Sequence, residues 1–187
     1  MTLHPHYFWA IRLPDIIKQK LDEEMQHMKS VFTFKRWVHK SDYHITLAFL
    51  GASNQQWLQT SVEKAEYAMK EVKVFSLQIE GLSIFGHKKS PKVFWASTNK
   101  EDKLFRLQKK IHQICEEIGF VLDARPFQPH ITLARNWDES KPFNLELLES
   151  ANPFHEPLLF QVEQVVLYKS NLNQVPKYEA IATISLQ

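Results

Sequence analysis

The strongest chemical signal in this chain is a pentapeptide that occurs twice. His44-Ile45-Thr46-Leu47-Ala48 returns as His130-Ile131-Thr132-Leu133-Ala134, 86 residues later. A shared string of that length has odds of about one in a hundred in a random chain of this size, so internal duplication is the better account. Both copies fall in runs of strand composition, YHITLAFL over 43–50 and HITLA over 130–134. Alternate side chains of a strand face the same way. Each His therefore shares a face with its Thr, while Ile45, Leu47, Ile131 and Leu133 point to the other face and anchor the strands in a core. A pseudo-two-fold relation would bring the two polar pairs to one cleft.

Two imidazoles and two hydroxyls across a cleft suit phosphodiester chemistry. An ordinary His titrates near pH 6.5, so one ring can be neutral while its partner is charged. The neutral ring can take a proton from an attacking water and the charged one can give a proton to the departing alkoxide. The threonine hydroxyls can donate to non-bridging phosphate oxygens. Other readings compete. A lone His–x–Thr on a strand is usually structural, and duplication can preserve a structural sequence. A metal site is the third reading, but the motifs bring no carboxylate or thiolate, and two His alone underfill a zinc site. The doubled pair favours acid–base work without metal or cofactor.

The elements that must position these residues follow from periodicity and punctuation. A strand is expected over 6–12, then a helix from Pro14 to about Ser30 with Ile16, Ile17, Leu21, Met25 and Met28 inward. A short strand over 34–38 precedes the first motif strand, which Gly51 ends. Ser53 is the expected N-cap of a helix to about Glu71, with Trp57, Leu58, Val62, Ala65 and Met69 buried. Strands over Val74–Ile84 and Lys92–Thr98 are expected around a Gly86–Pro91 turn, and a helix from Asn99 to Ile118 stops at Gly119. After the second motif come a polar stretch over 136–157, with a short helix at Leu145–Leu148, and strands at Phe160–Lys169 and Tyr178–Leu186. Strand runs with interspersed helices indicate α+β with antiparallel sheets.

Composition bounds the possibilities. The 187 residues suit one domain, 1–187, built as two lobes, and a net charge of +2 is too small for a protein that coats long nucleic acid. Cys115 is the only cysteine, which excludes an internal disulfide; it is expected to be an inert core residue. No apolar run approaches the roughly 20 residues of a membrane span, so no membrane partner is expected and the cytoplasm is the expected compartment.

With these residues in view, the sequence resembles the two-histidine phosphoesterases, defined by two His–x–Thr–x motifs, here at 44–47 and 130–133. Within them it resembles the bacterial and archaeal RNA 2′,3′-cyclic phosphodiesterases, once labelled 2′–5′ RNA ligases. The likeness spans nearly the whole chain, including Phe8 to Pro14, Arg36-Trp37-Val38, Pro91 to Trp95, Arg125-Pro126-Phe127, Val165 to Tyr168 and Tyr178. It departs where Lys92 replaces a frequent Arg, where Lys169 replaces a Glu, and where the Gly common before the final Tyr is missing from 173–177.

The resemblance implies a bilobal α+β fold made by duplication, two mainly antiparallel sheets flanking a central cleft with helices packed outside. It implies hydrolysis of a terminal 2′,3′-cyclic phosphate on RNA 3′ ends or oligonucleotides to a 2′-phosphate. His44 would be the proton donor to the leaving O3′ and His130 the proton acceptor. Thr46, Thr132 and Arg135 would hold the phosphate, with no metal and no cofactor, in a monomer. The alternatives are 2′–5′ oligonucleotides or small cyclic nucleotides as substrates, or a non-catalytic module that binds RNA ends or nucleotides. Joining RNA ends is not expected, since no second strand-binding surface is readable. Lys35-Arg36 and His87-Lys88-Lys89 read first as solvated surface and second as contacts to RNA backbone, and Trp9 and Trp37 read first as core and second as stacking platforms for a base.

Overall fold

The computed structural model describes residues 4–171 and 173–187. The expected strand–helix alternation opens the chain as β1 (Tyr7–Arg12) and α1 (Asp15–Val31), followed by β2 (Phe34–Trp37) and β3 (His44–Gly51). Pro14 sits at the N-cap of α1, where its missing N–H costs nothing. The stripe Ile17, Leu21, Met25 and Met28 is buried, but Ile16 is 63% exposed. Helical geometry separates Ile16 from Ile17 by about 100°, and only one of the pair can face the core.

Helix α2 (Gln55–Met69) begins one residue later than Ser53 suggests, because Asn54 accepts the bond from the Trp57 N–H. Trp57, expected inside, is 38% exposed and lies edge-on against Phe120. Strands β4 (Phe75–His87) and β5 (Ser90–Thr98) run further than expected, leaving only Lys88-Lys89 between them. Helix α3 (Asp102–Ile118) ends at Gly119 as anticipated, with φ of +109° at that residue. Then come β6 (His130–Trp137), α4 (Leu145–Ser150), β7 (Leu158–Val162), β8 (Gln164–Ser170) and β9 (Tyr178–Ser185). The stretch over 136–157 packs against the core through three buried side chains, Phe143, Leu148 and Phe154, and Phe143 stacks on Phe32 at 5.3 Å.

The two sheets that the resemblance implies are present as two halves of one nine-stranded antiparallel sheet, eight strands in the order β7-β4-β5-β6-β3-β1-β8-β9 and β2 paired to β6 off this path. They join at the centre, where β3 and β6 pair only at Ile45↔Ile131. Beyond that point β3 diverges, and β2 takes its place along β6 from Trp37↔Ala134 to Phe34↔Trp137. The centre of the sheet is therefore a fork.

The single strand expected over 160–169 is instead two, β7 and β8, which lie near opposite ends of the sheet although only Glu163 separates them. The sheet must curl until its ends meet. The backbone bonds show that meeting: the Leu186 N–H donates to the Glu163 carbonyl, and Val72 and Val74 exchange bonds with Gln187. One large core lies between sheet and helices, with Trp9, Tyr43, Phe32 and Phe94 among its fully buried members. A second, small cluster of Phe8, Ala10, Val166 and Tyr168 sits on the other face of β1 and β8.

Candidate active site

Ile45 and Ile131, the pair that joins the two halves, are fully buried. Their neighbours must therefore face the other way. His44 and Thr46 on β3, with His130 and Thr132 on β6, are half-buried on that outer face. The antiparallel register sets His44 across from Thr132 and Thr46 across from His130. The four residues expected to converge are thus brought together on one patch.

The repeated Leu–Ala then does something strand alternation alone does not predict. In β3 the register with β1 runs from Ala10↔Thr46 to Trp9↔Ala48 and leaves Leu47 unpaired. In β6 the register with β5 runs from Trp95↔Thr132 to Phe94↔Ala134 and leaves Leu133 unpaired. Both strands bulge at the same point of the repeat. Leu and Ala are consecutive buried residues in each, and the sixth residue returns to the outer side. That residue is Phe49 in one copy and Arg135 in the other.

Each imidazole is latched in the same way. Nδ1 of His44 lies 2.7 Å from the carbonyl of Asp42, and Nδ1 of His130 lies 2.7 Å from the carbonyl of Gln128. A carbonyl can only accept, so Nδ1 carries the hydrogen in both rings and the neutral form keeps its lone pair on Nε2. On His44 that Nε2 is 3.0 Å from the Thr46 hydroxyl. Among the described residues, Nε2 of His130 makes no hydrogen bond to protein. Aromatic walls flank both rings. His44 lies against Phe8, Tyr168 and Tyr178, the last edge-on at 5.1 Å. His130 lies against Trp95 and, edge-on at 5.0 Å, Phe85.

Burial among these walls disfavours the imidazolium. It pushes His44 down to about 4, helped by the charges of His130, Arg135 and Lys18 and opposed by the bond to the Asp42 carbonyl. His130 is also lowered by burial and by Arg135, against the bond to Gln128. Arg135 acts on both rings and also lowers the Tyr178 phenol, whose titration burial raises. The expected phosphate arginine is therefore within electrostatic reach of the whole patch.

Sequence reasoning missed several neighbours. Arg12 is registered opposite His44 on β1, and Ser97 opposite His130 on β5. Asp42, 5% exposed, accepts from the backbone N–H groups of Lys177 and Tyr178 at 3.0–3.1 Å while its own carbonyl holds His44. It ties the segment leading into β9 to the histidine patch. The one available signal was positional: Asp42 and Gln128 stand two residues before their histidines, outside the shared string. Trp9 is fully buried, which removes it as a stacking platform, whereas Trp37 lines a surface groove. Cys115 is buried, and desolvation pushes its thiol up to about 12. Among the described residues no three His, Cys, Asp or Glu side chains cluster as a metal site requires, and no helix is long and apolar enough to cross a membrane.

An antiparallel sheet with two latched His–x–Thr–x strands side by side at its centre defines a two-histidine phosphoesterase. The model of the 2′-5′ RNA ligase superfamily matches residues 17–174, and the chain belongs to that family. It is 38% identical over 181 residues to an RNA 2′,3′-cyclic phosphodiesterase of Geobacillus stearothermophilus, covering 97% of this chain but only 57% of that protein's length. A Bacillus subtilis RNA 2′,3′-cyclic phosphodiesterase is 32% identical, with 98% of each chain covered. Among solved structures, E. coli LigT complexed with 3′-AMP superposes with a TM-score of 0.76 at 22% identity, covering 98% of this chain and 99% of that one. A Thermus thermophilus protein superposes with a TM-score of 0.79 at 24% identity, covering 97% of each. At those identities the likeness is one of fold.

Proposed function

We propose that this protein is an RNA 2′,3′-cyclic phosphodiesterase that converts a terminal cyclic phosphate to a 2′-phosphate by histidine acid–base chemistry. The observation that carries the reading is the pair of Nδ1-latched imidazoles on one face of β3 and β6, each with a hydroxyl beside it. The names of the G. stearothermophilus and B. subtilis relatives support the substrate class.

His130 is the proton acceptor: its free Nε2 lone pair takes a proton from water as the water oxygen bonds to phosphorus. His44 is the donor: its Nε2–H passes a proton to O3′ as the P–O3′ bond breaks. The products are a 2′-phosphate and a 3′-hydroxyl. Water then carries the proton from His130 back to His44. Thr46, Thr132 and Arg135 hold the non-bridging oxygens, Arg135 with a fork that can make two parallel bonds. In the free protein His44 is mostly neutral at pH 7, so its proton arrives with substrate: a phosphodiester anion beside the ring favours the imidazolium.

Residues 1–187 act as one domain of two matched lobes, and since one chain supplies both histidines a monomer suffices. A buried, poorly ionised lone cysteine fits a reducing cytoplasm. The test is hydrolysis of a short RNA ending in a 2′,3′-cyclic phosphate, compared with a 2′–5′ oligonucleotide. Preferential opening of the cyclic end supports the reading; preferential cleavage of the 2′–5′ linkage replaces it with the second substrate class.

A further inference from the structure

Beside the fork, between the end of β2, β6 and the segment leading into β9, lies a small surface groove of about 100 Å³, lined by Arg36, Trp37, Asp42, Arg135, Lys177 and Tyr178 among others. It adjoins the catalytic patch, because the Tyr178 ring touches His44 and the Arg135 charge acts on both histidines.

Its charge pattern is unusual. Arg36 and Arg135 are registered directly opposite each other on β2 and β6. Like charges so placed repel and destabilise the strand pair. Neither has a carboxylate within salt-bridge distance among the described residues, and neither does Lys177. Asp42 is the one acid among the six residues named, and its oxygens already accept the backbone N–H groups of Lys177 and Tyr178. Three cations thus face one groove with no side chain to satisfy them. Beside them Trp37 offers a half-buried aromatic surface. Uncompensated cations next to an aromatic surface suit a nucleotide: guanidinium and ammonium bind the phosphate, and the indole packs on the base or sugar.

We infer that this groove binds the nucleotide on the 5′ side of the cyclic-phosphate terminus, with the linking phosphodiester held by Arg36 and Lys177. Arg135 remains with the reacting phosphate. The groove therefore sets a preference for oligonucleotide ends over mononucleotides, and does so through ground-state binding. This rests on the phosphodiesterase reading and gives it a length requirement.

Three substrates decide it: cytidine 2′,3′-cyclic monophosphate, the CpC dinucleotide with the same cyclic end, and that dinucleotide with a neutral methylphosphonate link. The wild-type protein should show kcat/KM about tenfold higher on the charged dinucleotide, the size of one charge-assisted contact, and the neutral link should remove most of that gain. Arg36→Ala and Lys177→Ala should each lower kcat/KM on the charged dinucleotide by about five- to tenfold through KM, while leaving the mononucleotide within about twofold. Arg36→Lys should recover part of the loss. Equal kcat/KM for mononucleotide and dinucleotide in the wild type, or proportional losses on both in the variants, overturns the inference. If no substrate turns over, the phosphodiesterase reading fails by itself. The groove is then decided by equilibrium binding, followed by tryptophan fluorescence, of CpC 3′-phosphate against cytidine 3′-phosphate. Tighter dinucleotide binding that Arg36→Ala abolishes supports the groove, and equal binding refutes it.

Discussion

The two halves of the histidine patch begin from the same five residues and end in different surroundings. On β3, His44 is boxed by Phe8, Tyr168 and Tyr178, its Nε2 is engaged by Thr46, and the residue the bulge turns outward is Phe49. On β6, among the described residues, His130 has two aromatic neighbours and no protein hydrogen bond to Nε2, and Arg135 is in the outward position. What is held in common is the latch on Nδ1, the core anchors and the bulge. What differs is the aromatic box, the partner of Nε2 and the residue turned outward by the bulge. On the proposed reading, the repeat supplies a matched pair of acid–base groups, and the strands beside each copy divide the roles.

The largest way to break that division is to remove either ring. His44→Ala and His130→Ala should each cost at least about 10²-fold in kcat with little change in KM. The two losses should separate on a p-nitrophenyl phosphodiester, whose leaving group needs no proton. There the His44→Ala defect should shrink while the His130→Ala defect persists, and the reverse pattern would exchange the roles.

Next in size is the sixth position. Arg135→Ala should lower kcat/KM by about 10–10²-fold, as expected for loss of a charged donor to the phosphate oxygens, whereas Phe49→Ala should leave activity within a few-fold.

The pH profile sharpens the comparison further. Both rings are held below their ordinary value in the free protein, so the form with His44 charged and His130 neutral is a minor species. The alkaline limb of kcat/KM should accordingly lie below pH 6.5. The limb of kcat, which reports the substrate complex, should lie higher. A kcat/KM that keeps rising to pH 8 contradicts the arrangement.

The smallest effect is on stability. His44 titrates near 4 when folded and near 6.5 when unfolded, so the stability it contributes is present above pH 6.5 and is lost as pH falls toward 4. His44→Gln should flatten the fall of Tm over that window, and His130→Gln should do so less.

Much of this was legible in the residues. The repeat located His44, Thr46, His130 and Thr132, and alternation put each pair on one face, as the register at Ile45↔Ile131 shows. The bulges were not legible, since Leu–Ala is ordinary strand sequence and only the pairing with β1 and β5 leaves a residue over. The box around His44 was hidden for a related reason. Phe8 comes from one end of the chain and Tyr168 and Tyr178 from the other, so only sheet order unites them. The break between β7 and β8 carries no Gly or Pro. It arises because the chain passes from the edge strand β7 to β8, which pairs between β1 and β9 near the other end of the curled sheet. Ile16 and Trp57 went to the surface because periodicity fixes a stripe's spacing more firmly than its edges.

The central claim is that His44 and His130 open a cyclic phosphate together and without a metal. It is tested most directly by incubating the protein, in excess chelator, with a short RNA bearing a 2′,3′-cyclic phosphate and resolving 2′- from 3′-phosphate ends. The account predicts undiminished turnover in chelator to 2′-phosphate alone, lost on replacing either histidine. Activity that chelator abolishes, or turnover that survives both replacements, would contradict it.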